Sequence, residues 1–143
     1  MKREIKFRGK SLKNKKWVYG DLMRNICATR IVRYKETDNE SGQCADWDYI
    51  EVDDSTVGQN TGLKDRNGKE IYEGDILSND LAKPFCEVIF RNGCFALRLN
   101  DGGEDFYDIL GPLEDRVAKT NYHVVIGNIH DNPELLKQNY NEA

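Results

Sequence analysis

The most constraining feature of this chain is Asn92-Gly93, set between Cys86-Glu-Val-Ile-Phe-Arg and Cys94-Phe-Ala-Leu-Arg-Leu. Asn and Gly tolerate the positive φ angles of a type I′ turn, whose twist matches that of two antiparallel strands. A two-residue loop leaves one register. Arg91 faces Cys94, Phe90 faces Phe95, Ile89 faces Ala96, Val88 faces Leu97, Glu87 faces Arg98 and Cys86 faces Leu99. Side chains alternate along a strand, so Cys86, Val88, Phe90, Phe95, Leu97 and Leu99 share one face, read as the core side. The other face carries a Glu87–Arg98 ion pair. Turn chemistry and hydrophobic pattern agree here.

Similar signals recur along the chain. Residues 4–8 alternate polar and apolar, as a half-buried strand does. A polar connection over 9–16 leads to the β-prone Trp17-Val-Tyr, ended by Gly20-Asp21, which predicts a first hairpin with a long loop. Residues 29–34 and 47–52 read as two further strands. Between them, 35–46 are polar, acidic and contain Gly and Ser, a surface loop. Residues 53–56 predict a turn. Asn67-Gly68, between Leu63-Lys64 and Ile71-Tyr72, predicts a second type I′ turn, and Gly74-Asp75 opens a strand at Ile76-Leu77. Residues 100–105 read as a Gly and acid loop. Residues 106–113 fit either a strand or a helical turn. Residues 122–126 read as a strand ended by Gly127-Asn128. Asn132 before Pro133 predicts a helix over 133–138, because Asn caps free amides and Pro suits the first helical position. Glu134 complements the dipole there.

Composition bounds the class. The apolar share of 38%, with 12 Gly in 143 residues, is ordinary for a globular chain and argues against global disorder. No apolar run approaches the roughly 18 residues of a spanning helix. Residues 1–24 carry Lys and Arg with no apolar stretch after them, so no secretory leader is expected. Cys27, Cys44, Cys86 and Cys94 form no CxxC and read as reduced thiols, which points to the cytoplasm.

Charge is divided unevenly. Residues 1–35 hold twelve Lys and Arg against two acids, and the remainder holds nine against 23, so the net −4 is +10 set against −14. Such asymmetry suggests a solvated basic face, or contact with nucleic acid, or contact with the opposite block of the same or a neighbouring chain. Pairing with the acidic block is favoured over nucleic acid, because acids repel phosphates unless they face away.

Several blocks resemble a known family. Arg3-Glu-Ile-Lys-Phe-Arg, Trp17-Val-Tyr-Gly-Asp-Leu, Val57-Gly-Gln-Asn-Thr-Gly-Leu-Lys-Asp, Asn67-Gly-Lys-Glu-Ile-Tyr-Glu-Gly-Asp-Ile and Val125-Ile-Gly-Asn-Ile-His-Asp-Asn-Pro-Glu-Leu-Leu are similar, in this order, to YopX-family proteins. The resemblance implies a phage or prophage origin and a mostly β fold, and it carries no catalytic residues. Glu73-Gly-Asp-Ile-Leu followed by the 86–99 hairpin is also similar to the opening strands of SH3-like small barrels, a fold that hosts many unrelated functions.

Candidate chemical sites are few. Asp65-x-Asn67-x-Lys69 begins like a calcium loop, but Lys69 takes the third ligand position and Ile76 the twelfth. A hairpin turn is the better reading. His123, His130 and Asp131 do not converge, and Cys86 and Cys94 lie on opposite hairpin faces, which disfavours a shared zinc or a disulfide. No GxSxG, HExxH or P-loop pattern occurs. Asp53, Asp54, Glu73, Asp75 and Asp108 are the carboxylates that could serve as acid and base. Of these, Asp75 reads first as an acceptor of backbone hydrogen bonds at a turn. Trp17, Tyr19, Trp47 and Tyr49 alternate on two predicted strands. They read first as inward core, and as base-stacking rings if exposed beside Lys and Arg.

The expected architecture is mostly β, with a basic lobe over 1–60, an SH3-like barrel over 61–143 and a short C-terminal helix. The expected function is that of a non-enzymatic phage or prophage accessory protein in the host cytoplasm, a self-associating interaction module and homo-oligomer. No cofactor, metal or membrane is expected, and the sequence identifies no small-molecule substrate. The alternative is a nucleic-acid-binding protein whose contacts are Lys13, Lys15, Lys16, Trp17 and Tyr19. A carboxylate-based hydrolase stands third.

Overall fold

A computed structural model describes residues 4–35, 46–79, 82–101, 104–109 and 123–137. Ten strands and one short helix follow in order: β1 (Phe7–Ser11), β2 (Trp17–Arg24), β3 (Thr29–Lys35), β4 (Asp46–Lys64), β5 (Glu70–Tyr72), β6 (Asp75–Asn79), β7 (Ala82–Arg91), β8 (Cys94–Asp101), β9 (Glu104–Ile109), β10 (His123–Asn128) and α1 (Glu134–Lys137). The chain is mostly β and is organised as two compact units, Met1–Asn60 and Thr61–Ala143.

In the first unit β1 pairs with β2, β2 with β3, β3 with β4, and β4 returns to β1, all antiparallel. The four strands therefore close into a ring. Val18, Ile31 and Val52 form its buried centre, with Phe7, Leu22, Ile50 and Val57 packed against them. These positions alternate with outward ones, so β-branched residues fill the inside.

Within this unit, strand limits differ from the sequence reading in three places. Pairing begins at Phe7, three residues after the predicted start at residue 4, because Phe7 is the first β1 residue with partners, Gly20 and Gln59. β2 runs through Gly20-Asp21, which the sequence reads as a stop, because both lie in ladders, opposite Phe7 and Val32. The turn predicted at 53–56 is an irregularity inside β4. Arg8 pairs with Gly58 but Lys10 with Asp53, so β4 carries extra residues there. Thr56 Oγ1 donates to the Asp53 carbonyl at 2.6 Å, and Ser55 N donates to Asp53 Oδ1 at 3.0 Å. The local turn chemistry is as read, but the ladder continues past it.

In the second unit the sheet order is β10-β6-β7-β8-β9. The β7–β8 register matches the sequence reading at all six pairs from Cys86↔Leu99 to Arg91↔Cys94. Asn92 has φ 53° and Gly93 φ 81°, both positive, as type I′ requires. Val88 and Leu97 join Ile71 and Leu77 in the core. Phe90 does not share that burial: it is 53% exposed, because it stands at the hairpin tip beyond the core. It meets Phe95 edge to face at 5.2 Å. Residues 100–105 are not simply a loop, since the β8–β9 ladder extends to Asn100↔Asp105 and Asp101↔Glu104. Residues 104–109 are strand, and the rest of the 106–113 segment lies outside the described residues, as do 36–45 of the predicted loop.

The Asn67-Gly68 turn is of another type. Gly68 N donates to the Asp65 carbonyl at 3.0 Å and Gly68 has φ 83°, whereas Asn67 is not left-handed. This is a type I turn followed by a left-handed glycine. Asp65 decides it: Oδ1 accepts from Asn67 N and Lys69 N, each at 2.8 Å, which closes an Asx-type turn. Its Oδ2 accepts from Val125 N at 3.0 Å and ties the hairpin to β10. Asp75 plays the structural part read for it, accepting from Tyr72 N at 2.7 Å while buried. Asn132 does not cap α1 through its side chain. Its Oδ1 accepts from Asn128 N at 3.3 Å, within a turn in which Asn128 Oδ1 accepts from His130 N and Asp131 N.

Candidate functional site

The β1–β2 connection is compact. Lys15 N donates to the Ser11 carbonyl and Ser11 N to the Lys16 carbonyl, each at 2.9 Å. Lys13 N finds Ser11 Oγ at 3.2 Å, and Lys16 N finds Asn14 Oδ1 at 3.0 Å. Lys15 sits at φ 61°, a left-handed position at the turn. With the backbone groups paired inward, Lys13, Lys15 and Lys16 all stand exposed at one end of the sheet.

Trp17 opens β2 directly after these lysines, opposite Lys10 in the ladder. The Arg8 guanidinium carbon lies 4.5 Å from the Trp17 ring centroid and Lys10 Nζ 5.4 Å from it. Both distances are within cation–π range. Tyr19 is opposite Arg8 on the same face. Strand alternation and the β3–β4 register carry this outer face onward: Tyr34 is opposite Trp47, and Val32 is opposite Tyr49. Tyr34 and Trp47 meet edge to face, 5.5 Å apart.

These rings are not core. Tyr19 is 46% exposed, Tyr34 54%, Trp47 44% and Tyr49 59%, and Trp17 is half-buried under its cations. The reading of Trp17, Tyr19, Trp47 and Tyr49 as inward-facing is overturned. In each strand the alternate set won the interior: Val18 and Leu22 in β2, Ile50 and Val52 in β4. Of the sequence-named contacts, Lys13, Lys15, Lys16, Trp17 and Tyr19 all gather at this end of the outer face. Arg8, Lys10 and Tyr34 were missed. The Arg30-Ile-Val-Arg-Tyr alternation was the available signal for Tyr34, since it sets Tyr34 opposite in facing to the apolar Ile31.

Much of the +10 block is answered inside its own unit. Arg24 Nε pairs with Asp54 Oδ1 at 2.8 Å and Arg33 Nε with Asp48 Oδ2 at 3.4 Å. Arg30 is opposite Glu51 in the ladder. Over Met1–Asn60 there are twelve Lys and Arg against ten acids, and over the second unit nine against fifteen. Asp54 also accepts from Thr29 Oγ1 at 2.7 Å. That hydroxyl first, and the Arg24 guanidinium after partial offset by desolvation, hold its carboxyl below the usual carboxylate range.

The other candidates stay apart. No group of three or more His, Cys, Asp or Glu among the described residues is placed to hold a metal ion. Cys27, Cys86 and Cys94 are not in disulfides, and Cys94 Sγ donates to the Arg91 carbonyl at 3.3 Å. Asp53 Oδ1 accepts from Ser55 Oγ at 2.8 Å. The Asp108 side chain and Cys44 lie outside the described residues. Among the described residues no helix is long and apolar enough to cross a membrane.

Comparison with known proteins places this architecture. The family profile described as YopX protein matches residues 6–137. No curated protein matches the chain. The crystal structure of protein EF1440 from Enterococcus faecalis is similar at 26% identity with a TM-score of 0.53, over 93% of this chain and 98% of that one. The chain belongs to the YopX family.

Proposed function

We propose, starting from that membership, that this chain is a non-enzymatic interaction module of the phage and prophage type, acting in the host cytoplasm through the outer face of its first unit. One observation supports this most: Trp17, Tyr19, Tyr34, Trp47 and Tyr49 share a face and are not buried in the core. Aromatic rings bring the largest gain on burial, so a group of them left in water marks a surface built to be covered. Two of the carboxylates read as catalytic candidates have structural work. Asp75 holds a backbone amide and Asp54 holds Thr29 and Arg24. This favours a binder over the carboxylate-based hydrolase.

The exposed Lys13, Lys15 and Lys16 beside Trp17 favour an anionic partner, and nucleic acid is the class that also uses rings. A mobility shift with DNA and RNA oligonucleotides at about 50 mM salt tests this, because backbone neutralisation releases counterions. Charge reversal at the three lysines weakens binding without regard to base sequence. No shift with any oligonucleotide would remove the nucleic-acid reading.

Self-association is the second reading. It is supported by the opposite signs of the two units' net charge and by β9 standing at one end of the second sheet's order. End strands offer unpaired backbone groups to a neighbour. Light scattering at low and high salt measures it, and a monomer at micromolar concentration throughout would remove it. The second unit's strand order, in which the last strand returns beside the first of the meander, supports the likeness to SH3-like barrels.

A further inference from the structure

We infer that the outer face of the first unit takes single-stranded nucleic acid, with unpaired bases stacked on the ring row and the backbone held by the β1–β2 lysines. This rests on the reading of that face as the binding surface. The rings lie in consecutive strands. Lys10–Trp17 and Arg8–Tyr19 face each other across β1–β2, and Tyr34–Trp47 and Val32–Tyr49 across β3–β4. Planar groups emerging from a sheet offer flat surfaces to flat partners. In a duplex the base faces are covered by their neighbours and only base edges show in the grooves. A single strand exposes the faces, and stacking accepts every base.

Charge placement points the same way. The cations Lys10, Lys13, Lys15 and Lys16 collect where β1 meets β2. On the same outer face, Asp21 is opposite Val32 and Glu51 opposite Arg30. One phosphate chain can follow the lysines while its bases reach across the rings. A duplex carries a second phosphate chain over this part of the face, where Asp21 repels it and the Arg30–Glu51 pair gives no net attraction. Four lysines are few, so stacking must supply much of the affinity. For a single strand the slope of log K against log salt is about −0.7 per phosphate contact, about −3 for four.

Fluorescence anisotropy with a labelled oligothymidylate of about 20 nucleotides, long enough for several such contacts, and a duplex of equal length tests this. The single strand is expected to bind at least about ten-fold more tightly than the duplex, and Tyr49→Ala and Trp47→Ala each to lose about five-fold or more. Tyr49→Phe keeps the ring and binds as the unaltered chain does, which separates stacking from misfolding. Equal or tighter duplex binding, or ring removal without effect in variants that melt normally, would overturn the inference. If charge reversal at Lys13, Lys15 and Lys16 still abolishes binding in that case, the broader nucleic-acid reading of the face survives. If no oligonucleotide binds and charge reversal changes nothing, both fall.

Discussion

Tyr34 and Trp47 meet edge to face across the β3–β4 ladder, with ring centroids 5.5 Å apart and planes at 75°, and both remain exposed. Each ring limits the other's rotation, so a partner arriving on this face finds surfaces already ordered and less side-chain entropy is lost on binding. Removing the Tyr34 ring should therefore do two things. Tyr34→Ala costs about 0.5–1.5 kcal/mol of stability, the worth of an aromatic pair, and it weakens binding through the loosened Trp47. Urea titration and oligonucleotide titration read the two effects separately. A binding constant unchanged by Tyr34→Ala would show that the pair plays no part in recognition.

The β7–β8 hairpin orders its residues by burial. Leu97 is in the core, Phe90 is at the exposed tip and Arg91 is outside it. Leu97→Ala should cost about 2–5 kcal/mol, Phe90→Ala about 1 kcal/mol through the lost Phe95 contact, and Arg91→Ala less than about 0.5 kcal/mol. Equal losses at Leu97 and Arg91 in urea unfolding would contradict the register.

Asp65 gathers amides from Asn67, Lys69 and Val125 on one buried carboxylate. Asp65→Ala leaves these donors without their acceptor and should destabilise the second unit by about 2–3 kcal/mol. Hydrogen exchange should accelerate at the Asn67, Lys69 and Val125 amides. Protection unchanged at Val125 would mean that Asp65 does not link the hairpin to β10.

Asp54 gives a pH dependence of known sign. Its folded carboxyl is held low by the Thr29 hydroxyl first and Arg24 second. Its contribution to stability is therefore fully present above the unfolded carboxylate pKa of about 3.9 and is lost as pH falls through the lowered folded value. An NMR titration of the Asp54 carboxyl measures this. Thr29→Val should move its midpoint up toward the usual range. An ordinary midpoint in the unaltered chain would contradict the Thr29 and Arg24 contacts.

Local chemistry was the legible part of this fold. Asn92-Gly93 determined a complete ladder, because turn type and hydrophobic alternation carry the same information twice. Asn67-Gly68 looked alike but sits inside an Asp65 turn, and the carboxylate's third bond goes to Val125, sixty residues away, which a local pattern does not contain. The ring row was misread for a related reason. Alternation assigns Trp47 and Tyr49 to one face and Ile50 and Val52 to the other, but both sets are apolar, and only closure of the β1–β4 ring decides which one goes inside. The lysines and Trp17 were legible as one group because they adjoin in sequence, whereas Tyr34 comes onto the same face only through strand pairing.

The chain's two tryptophans, Trp17 and Trp47, both belong to the outer face of the first unit, so intrinsic tryptophan emission reports on that face alone. Titration with a single-stranded oligothymidylate should quench it saturably, since stacked bases quench indole, and added salt should reverse the quench as phosphate contacts are lost. Unchanged emission while a labelled oligonucleotide demonstrably binds would place the nucleic acid elsewhere on the chain and contradict the account.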